Sequence, residues 1–184
     1  VGVICRTSLT IREIQTLSHA HAAALRDELT GLGNRRSLQE EVEARIGQSR
    51  SRPLAVLLLD LDSFKDLNDV LGHDMGDLLL VDVATRLREA ARADDLIVRM
   101  GGDEFAVLLD APEDASTVAA AAGRILAALD RSFLLDGMQL HIAASIGSAL
   151  YPEHGEDTQT LLRHADIAMY EAKAHGNAYR VYRG

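Results

Sequence analysis

The residues best suited to chemistry lie in the segment 99–105, which reads Arg-Met-Gly-Gly-Asp-Glu-Phe. Apolar runs precede and follow it. Two such runs joined by two glycines predict a β-hairpin, because glycine adopts the positive φ of a tight turn without a Cβ clash. Gly101 and Gly102 would leave room for a bulky anionic ligand, and Asp103 and Glu104 would offer carboxylates to a metal ion. An acidic hairpin tip on a solvated edge is the structural alternative.

A further acid ends a second apolar run. Residues 54–59 are continuously apolar and are followed by Asp60, which predicts a central strand buried on both faces. The end of such a strand is a rigid support on which ligand-binding groups are commonly presented. Within a strand, Asp103 and Glu104 would point to opposite faces. We expect Asp60 to converge with them if the strand end and the hairpin turn meet at one sheet edge, whereas a solvated strand end is the alternative.

Three oxygen donors of this kind suit Mg²⁺ or Mn²⁺, and no Cys/His spacing in the sequence indicates zinc. Lys65 follows Asp60 by about one helical turn, and Lys173 lies late in the last predicted helix. Each lysine taken alone is more often a solvated side chain than a phosphate ligand. Together with an acidic pocket, however, they predict metal-assisted nucleotidyl or phosphoryl transfer.

The remaining pattern predicts a fold of the α/β (α+β) class, a mixed central sheet of about five strands flanked by helices. Asp77 is placed at the start of a predicted helix, where an acid suits the helix dipole, so capping alone explains it. Asp136-Gly137 predicts a second hairpin, flanked by strands at 133–135 and 139–150. Helices are predicted at 35–46, 63–71, 77–91, 115–129 and 160–175, and a closing strand at 179–182.

The composition narrows the possible partners. The chain has 184 residues, 47% of them hydrophobic, and a net charge of −9, which argues against a nucleic-acid backbone as the main partner. The single cysteine, Cys5, fits a reducing compartment, and no apolar run approaches the roughly 20 residues that span a bilayer. We therefore expect a cytoplasmic domain. Because the sequence begins at Val1, we expect it to be cut from a larger protein, whose upstream region would carry any membrane anchor.

The first 26 residues form a separate unit in this interpretation. Apolar residues recur at spacings of three and four from Ile11 to Leu25, which predicts a helix with one apolar stripe. The stripe is short and includes His21, so it is a weak coiled-coil signal. A linker helix packed on its own domain and a stalk that dimerises remain equal alternatives, and the predicted domain boundary falls between residues 26 and 27.

Taken together, these segments resemble the GGDEF family of diguanylate cyclases. Residues 99–105 match the signature that gives the family its name. The resemblance extends over residues 27–184, and its further blocks match in order and spacing. These blocks are 27–35, 60–69, Gly72-His73, Gly76-Asp77, 145–147 and 165–173.

The resemblance implies a fold related to the palm of nucleotide cyclases and polymerases, and condensation of two GTP molecules to cyclic di-GMP with release of two pyrophosphates. It implies that Asp60, Asp103, Glu104 and the carbonyl of Leu61 hold Mg²⁺ or Mn²⁺. Asp60, Asp103 and Glu104 would be catalytic, and Glu104 would help deprotonate the 3′-hydroxyl. Asn68 and Asp77 would recognise the guanine edge, His73 would help position the nucleotide, and Lys65 and Lys173 would contact phosphates. The implied substrate-binding residues are Phe64, Lys65, Asn68, His73, Asp77, Gly101, Gly102 and Lys173.

The product also implies the partners. Cyclic di-GMP is two-fold symmetric, so one chain would hold one GTP and catalysis would require a homodimer. Arg92 and Asp95 resemble the family's inhibitory product site, whereas an exposed ion pair of little energetic value is the alternative. An upstream sensor domain would act by changing how two copies pair.

One departure from the family pattern concerns the segment after the last helix. The family often has Gly-Arg-Asn there, and this chain has Gly176-Asn177-Ala178, so an arginine that would contact phosphate is missing. A catalytically inactive module that binds GTP or cyclic di-GMP is therefore the alternative to an active cyclase. A different nucleotidyl cyclase or a polymerase-like enzyme is a third interpretation. Asn68 and Asp77 argue against it, because they favour guanine over adenine.

Overall fold

The computed structural model describes residues 21–48, 52–110, 112, 114–174, 176 and 178–184. Helices and strands are interspersed along this part of the chain. The helices are α1 (Arg35–Gln48), α2 (Phe64–Leu71), α3 (His73–Ala90), α4 (Ala115–Leu129) and α5 (Thr158–Lys173). The strands are β1 (Gly33–Asn34), β2 (Leu54–Leu61), β3 (Leu96–Gly101), β4 (Glu104–Asp110), β5 (Phe133–Leu135), β6 (Met138–Leu140), β7 (Ala144–Tyr151) and β8 (Tyr179–Val181).

The main sheet has six strands in the order β1-β3-β4-β2-β7-β8. The pairs β1–β3 and β7–β8 are parallel and the other pairs are antiparallel, so the predicted mixed sheet is confirmed, with six strands instead of about five. Strand β2 lies in the middle, and all its residues are buried. Its continuous apolar sequence is explained by helices on both faces of the sheet.

The two faces of the sheet carry different helices. Leu57 and Leu59 of β2 pack with α3 and α4, whereas Val56 and Leu58 pack with α1 and α5. Strand residues alternate between the faces, so Asp60 belongs to the face that α1 and α5 cover. The acid at the end of the central strand is therefore directed to the side of the sheet where the last helix lies.

A close approach between β7 and α5 fixes the position of that helix. A Cβ atom built on Gly147 would lie 2.1 Å from the backbone nitrogen of Met169 and 2.2 Å from the carbonyl oxygen of Ala165. Both atoms belong to the helix backbone, which cannot give way as a side chain can. Glycine at this position thus lets α5 lie directly on the sheet.

Besides helix and strand ends that differ by one or two residues, three predicted features differ from the structure. Helix α3 begins at His73 instead of residue 77, because Gly72 (φ 86°) turns the chain immediately before it, so Asp77 lies in the second turn and not at the helix start. The strand predicted at 139–150 is divided into β6 and β7, and β5–β6 forms a separate two-stranded sheet around the predicted Asp136-Gly137 turn. The signature hairpin turns at Gly102 and Asp103, one residue later than predicted.

Most of the predicted N-terminal helix lies outside the described residues. The part of it that is described includes residues 21–24, which are helical. The boundary between residues 26 and 27 stays a prediction. Among the described helices, none combines the length and the apolar character needed to cross a bilayer.

Candidate active site

The site is built on the pairing of β2 with β4. Asp60 and Glu104 are directly opposite each other in this antiparallel pair, and opposite residues extend their side chains to the same face of a sheet. The Asp60 side chain is largely buried, with 10% of its surface exposed. The structure thus brings together two of the acids that the sequence singled out, and it does so at the end of the buried strand.

The third acid, Asp103, lies in the hairpin turn. Gly101 pairs with Glu104, a register shift separates Gly101 from Arg99, and Gly102 and Asp103 form the turn itself. Strand alternation therefore does not govern the direction of Asp103. Gly101 and Gly102 have φ values of 142° and 55°, and nothing lies within 4 Å of a Cβ built on either. The tip is open on the side where the sequence predicted space for a ligand.

Burial and neighbouring acids raise the pKa values of Asp60 and Glu104. Burial raises the pKa of Asp60, and the nearby charges of Asp103 and Asp62 raise it further, against the opposing effect of Lys173. Burial likewise raises the pKa of Glu104, and Asp60, Asp103 and Asp166 add to this effect. A carboxyl group resists ionisation when other carboxylates lie close to it. Such a cluster creates a negative potential, which attracts a cation.

Lys173 supplies one positive charge to this cluster. Its Nζ lies 2.8 Å from Oδ1 of Asp60. Burial alone would lower the pKa of Lys173, but the hydrogen bond to Asp60 and the charges of Asp60, Asp103 and Asp62 raise it overall. Lys173 is therefore held as a cation against an acid.

The donor set fits a hard divalent cation in its chemistry. Carboxylate oxygens and a main-chain carbonyl are the ligands that Mg²⁺ takes, and Mg²⁺ commonly completes its shell with water and substrate phosphates. In the described part of the chain, no group of three or more His, Cys, Asp or Glu is already arranged around a metal position. One of the predicted ligands, Asp60, is instead engaged by Lys173.

The predicted nucleotide-binding residues lie on α2 and α3. The Oδ1 atom of Asn68 is buried and has no hydrogen-bond partner among the described residues, and a Cβ on Gly76 would lie 1.9 Å from it. Asn68 therefore packs against the backbone of α3 just before Asp77. Three other residues of this group, Lys65, His73 and Asp77, are exposed, and Phe64 is buried in the core. Leu61, whose carbonyl is a predicted metal ligand, is buried at the end of β2.

An arginine that sequence reasoning left without a role holds the hairpin tip. Arg99 donates to the carbonyl of Gly102 from Nε at 2.9 Å and from Nη2 at 2.7 Å. Its Nη1 lies 3.2 and 3.3 Å from the two carboxylate oxygens of Asp27. Asp27 in turn accepts from the backbone N–H and the hydroxyl of Thr30 at 2.8 and 2.6 Å. The turn at 27–30 is thereby tied to the tip of the hairpin.

A family model described as "Diguanylate cyclase, GGDEF domain" matches residues 24–178. The chain belongs to the GGDEF diguanylate cyclase domain family. Among curated proteins, it is 45% identical over 161 residues to the bifunctional diguanylate cyclase/cyclic di-GMP phosphodiesterase MucR of Pseudomonas aeruginosa, and this match covers 85% of the chain and 23% of MucR. It is 37% identical over 176 residues to the cyclic di-GMP phosphodiesterase PdeR of Escherichia coli, covering 96% of the chain and 26% of PdeR. The chain thus spans about a quarter of the length of these relatives.

Solved GGDEF structures share the fold. The GGDEF domain of TpbB from Pseudomonas aeruginosa is 40% identical, with a TM-score of 0.82, and the match covers 86% of this chain and 94% of that one. The coiled coil and GGDEF domain of DgcB from Caulobacter crescentus, in complex with c-di-GMP, is 26% identical, with a TM-score of 0.85, and covers 97% of this chain and 96% of that one.

In this GGDEF domain, Arg92 and Asp95 lie in the connection between α3 and β3. Asp95 Oδ2 accepts from the backbone N–H of Arg92 at 2.8 Å, so the carboxylate is held by the backbone of its own turn. Both residues line a shallow recess together with Arg124 of α4. Sequence reasoning missed Arg124, because a single arginine in an alanine-rich helix carries no local signal of a site.

Proposed function

We propose that this GGDEF domain is a diguanylate cyclase, which condenses two GTP molecules to cyclic di-GMP and two pyrophosphates. One observation carries the proposal. Asp60 and Glu104 lie opposite each other at the end of the central strand, beside a hairpin turn that contributes Asp103 and leaves open space over its glycines. This arrangement supplies oxygen donors for a cation next to room for a triphosphate.

The carboxylates and the carbonyl of Leu61 would hold Mg²⁺ or Mn²⁺, which when bound neutralises phosphate charge and favours departure of pyrophosphate. The raised pKa of Glu104 suits a group that accepts the proton of a 3′-hydroxyl, since a base is more effective as its pKa approaches the working pH. Lys173 and Lys65 would contact phosphates, Lys173 from the helix that already brings it to the acids.

Guanine would bind between α2 and α3. Its N1–H and N2–H₂ groups need acceptors, which the Asp77 carboxylate and the Asn68 amide supply. The packing of Asn68 on Gly76 fixes the side chain close to Asp77. His73, at the first position of α3, and Phe64, at the first position of α2, would complete the nucleotide pocket, and Gly101 and Gly102 would leave room for the phosphates.

Each chain would bind one GTP, and two chains would place their sites face to face. Each 3′-oxygen then attacks the α-phosphate of the other nucleotide, and the bond from that phosphate to the pyrophosphate breaks. The recess at Arg92, Asp95 and Arg124 would bind the product and inhibit the enzyme. Its guanidinium groups suit phosphate oxygens or a guanine edge, and the Asp95 carboxylate suits guanine donors. The structure of DgcB was solved in complex with c-di-GMP, which supports a nucleotide of this kind as a ligand.

The test is incubation of the protein with GTP and MgCl₂, followed by chromatography of the nucleotides. We expect cyclic di-GMP and pyrophosphate, loss of both on addition of EDTA, and a decrease of at least about 100-fold for Glu104→Gln. Isothermal titration with a non-hydrolysable GTP analogue checks that the variant still binds the nucleotide. Absence of cyclic di-GMP from the wild-type protein at high concentration would refute the proposal.

A binding module without catalysis is the second candidate. Two observations favour it: the family's arginine is replaced by Asn177, and PdeR, a relative that the chain matches over 96% of its length, is named for phosphodiesterase activity. This candidate predicts saturable GTP binding and no turnover. The chromatography and the titration together therefore separate the two functions.

A further inference from the structure

The chain leaves the central strand through a strained turn. Ser63, between Asp62 and helix α2, has φ 60° and ψ 21°, the left-handed conformation that is unfavourable for residues other than glycine. Such a conformation persists only where the surrounding contacts hold it. Ser63 occupies the N-cap position of α2, but its side chain makes no capping hydrogen bond. Capping therefore does not explain the turn, and the contacts that hold it lie elsewhere.

Contacts with β7 hold Asp62, the residue just before this turn. The hydroxyl of Ser145 donates to the Asp62 carboxylate, with Oγ 2.9 and 3.2 Å from the two oxygens. The backbone N–H of Asp62 donates to the carbonyl of Ala143 at 2.9 Å. Ser145 is completely buried and lies directly opposite Asp60 in the β2–β7 pair. Asp62 is therefore tied to the β7 side through its side chain as well as its backbone.

The bond to Ala143 sets the direction of the Leu61 carbonyl. The C=O of Leu61 and the N–H of Asp62 belong to one trans peptide group, so they point in opposite directions. The N–H points towards β7, and β2 lies between β7 and β4. The Leu61 carbonyl is therefore directed to the β4 side of the strand end, where the pairing with β4 stops at Glu104 and the hairpin turn contributes Asp103.

We propose that Ser145 is a positioning residue for the metal ligands. By holding Asp62, it fixes the peptide group that directs the Leu61 carbonyl towards the acids of the hairpin. The inference rests on the proposed function, in which that carbonyl binds Mg²⁺ or Mn²⁺. Ser145 acts through Asp62 and does not itself contact the metal, because its hydroxyl is engaged by the Asp62 carboxylate. Without this hydroxyl, one contact fewer opposes the strain at Ser63, so the peptide group loses its fixed direction.

Ser148 provides a matched control on the same strand. It is as completely buried as Ser145, and its Oγ lies 2.8 Å from the hydroxyl of Tyr179 in β8. Ser145→Ala and Ser148→Ala therefore remove the same atom from β7 and break a hydrogen bond to another part of the chain. A general loss of stability would be common to both variants, whereas a loss of metal positioning is expected only for Ser145→Ala.

Binding of Mn²⁺ tests the proposal without turnover. The protein is titrated with MnCl₂ in the presence of a non-hydrolysable GTP analogue and followed by electron paramagnetic resonance, with the analogue alone as the reference titration. Groups that orient a metal ligand commonly contribute about 10–100-fold to metal affinity. We expect Ser145→Ala to weaken Mn²⁺ binding at least about tenfold, and Ser148→Ala to stay within about twofold of the wild type. Unchanged affinity in Ser145→Ala, or an equal loss in both variants, would overturn the proposal.

Hydrogen exchange tests the geometry without metal or nucleotide. The Asp62 N–H, which is bonded to the Ala143 carbonyl, should exchange at least about tenfold faster in Ser145→Ala than in the wild type, as measured by NMR at single residues. The amides paired between β2 and β4 should keep their rates, and Ser148→Ala should leave the Asp62 N–H protected. Unchanged protection of this N–H in Ser145→Ala, or faster exchange throughout the sheet, contradicts the positioning role. If the wild type binds no Mn²⁺, the proposed metal site fails, and the exchange rates still decide whether Ser145 fixes this peptide group.

Discussion

Replacement of Asp27 by asparagine tests how the hairpin tip is held. The carboxylate accepts two hydrogen bonds from Thr30 and lies 3.2 and 3.3 Å from Nη1 of Arg99. Arg99 in turn binds the Gly102 carbonyl. Asparagine has nearly the same shape and keeps an oxygen for Thr30, so the substitution removes the charge and the ion pair while changing the packing very little.

The structure sets the size of the effect. The side chains of Asp27 and Arg99 are 21% and 12% exposed, so the pair is shielded from water more than an ordinary surface ion pair. Hydrogen bonds to charged groups contribute about 1.5–3 kcal/mol, and loss of one partner leaves the other charge half-buried. We expect Asp27→Asn to lower the free energy of unfolding by about 2 kcal/mol, which corresponds to a decrease in Tm of about 4–8 °C for a domain of this size.

The effect depends on pH in a defined direction. Burial alone would raise the pKa of Asp27, but the hydrogen bonds from Thr30 and the charge of Arg99 lower it below the ordinary value of 3.8. A carboxyl group with a lowered pKa in the folded state stabilises the protein above pH 3.8 and loses this contribution as the pH falls through the folded-state pKa. The difference between the wild type and Asp27→Asn should therefore be full at pH 7 and disappear in acid.

Urea denaturation at a series of pH values measures this difference. A double-mutant cycle with Arg99→Met isolates the Asp27–Arg99 coupling, which we expect to be about 1–2 kcal/mol at pH 7. Equal stability of the wild type and Asp27→Asn at pH 7 would refute the reasoning. A difference that persists unchanged below the folded-state pKa would show that the lost energy does not come from the charge.

Three other substitutions follow from the packing and the recess. Gly147→Ala places a methyl group against the backbone of α5, so it should destabilise the domain by about 3 kcal/mol in thermal unfolding; an unchanged Tm would contradict the close approach. Gly76→Ala displaces the Asn68 side chain and should weaken binding of a GTP analogue about tenfold in calorimetry, with the circular dichroism spectrum retained; unchanged affinity would exclude Asn68 from the pocket. Arg124→Ala should weaken cyclic di-GMP binding at least about tenfold, and the exposed Arg131→Ala serves as its control, so equal affinities in the two variants would remove Arg124 from the product site.

Local sequence predicted the elements of the site better than their boundaries. The continuous apolar run of β2 required burial on both faces, and the glycines required a tight turn, so both elements were predictable. The start of α3 was not, because Gly72 precedes it without a capping side chain and leaves no polar signal. The turn shifted by one residue because the chain register changes between Arg99 and Gly101, which depends on the partner strand and not on residue type.

The contacts that position the site join residues far apart in the sequence. The sequence therefore identified candidate residues but not the contacts that these residues make with one another. Arg99 binds Asp27 from 72 residues away, and Lys173 binds Asp60 from the opposite end of the domain. Residues near both ends of the domain, Asp27 and Lys173, therefore contact the residues that form the site. Asp27 follows the helical residues 21–24 almost directly, and its carboxylate leads through Arg99 to the Gly102 carbonyl. The Asp27–Arg99 contact therefore links the segment that follows these helical residues to the hairpin tip that carries Asp103.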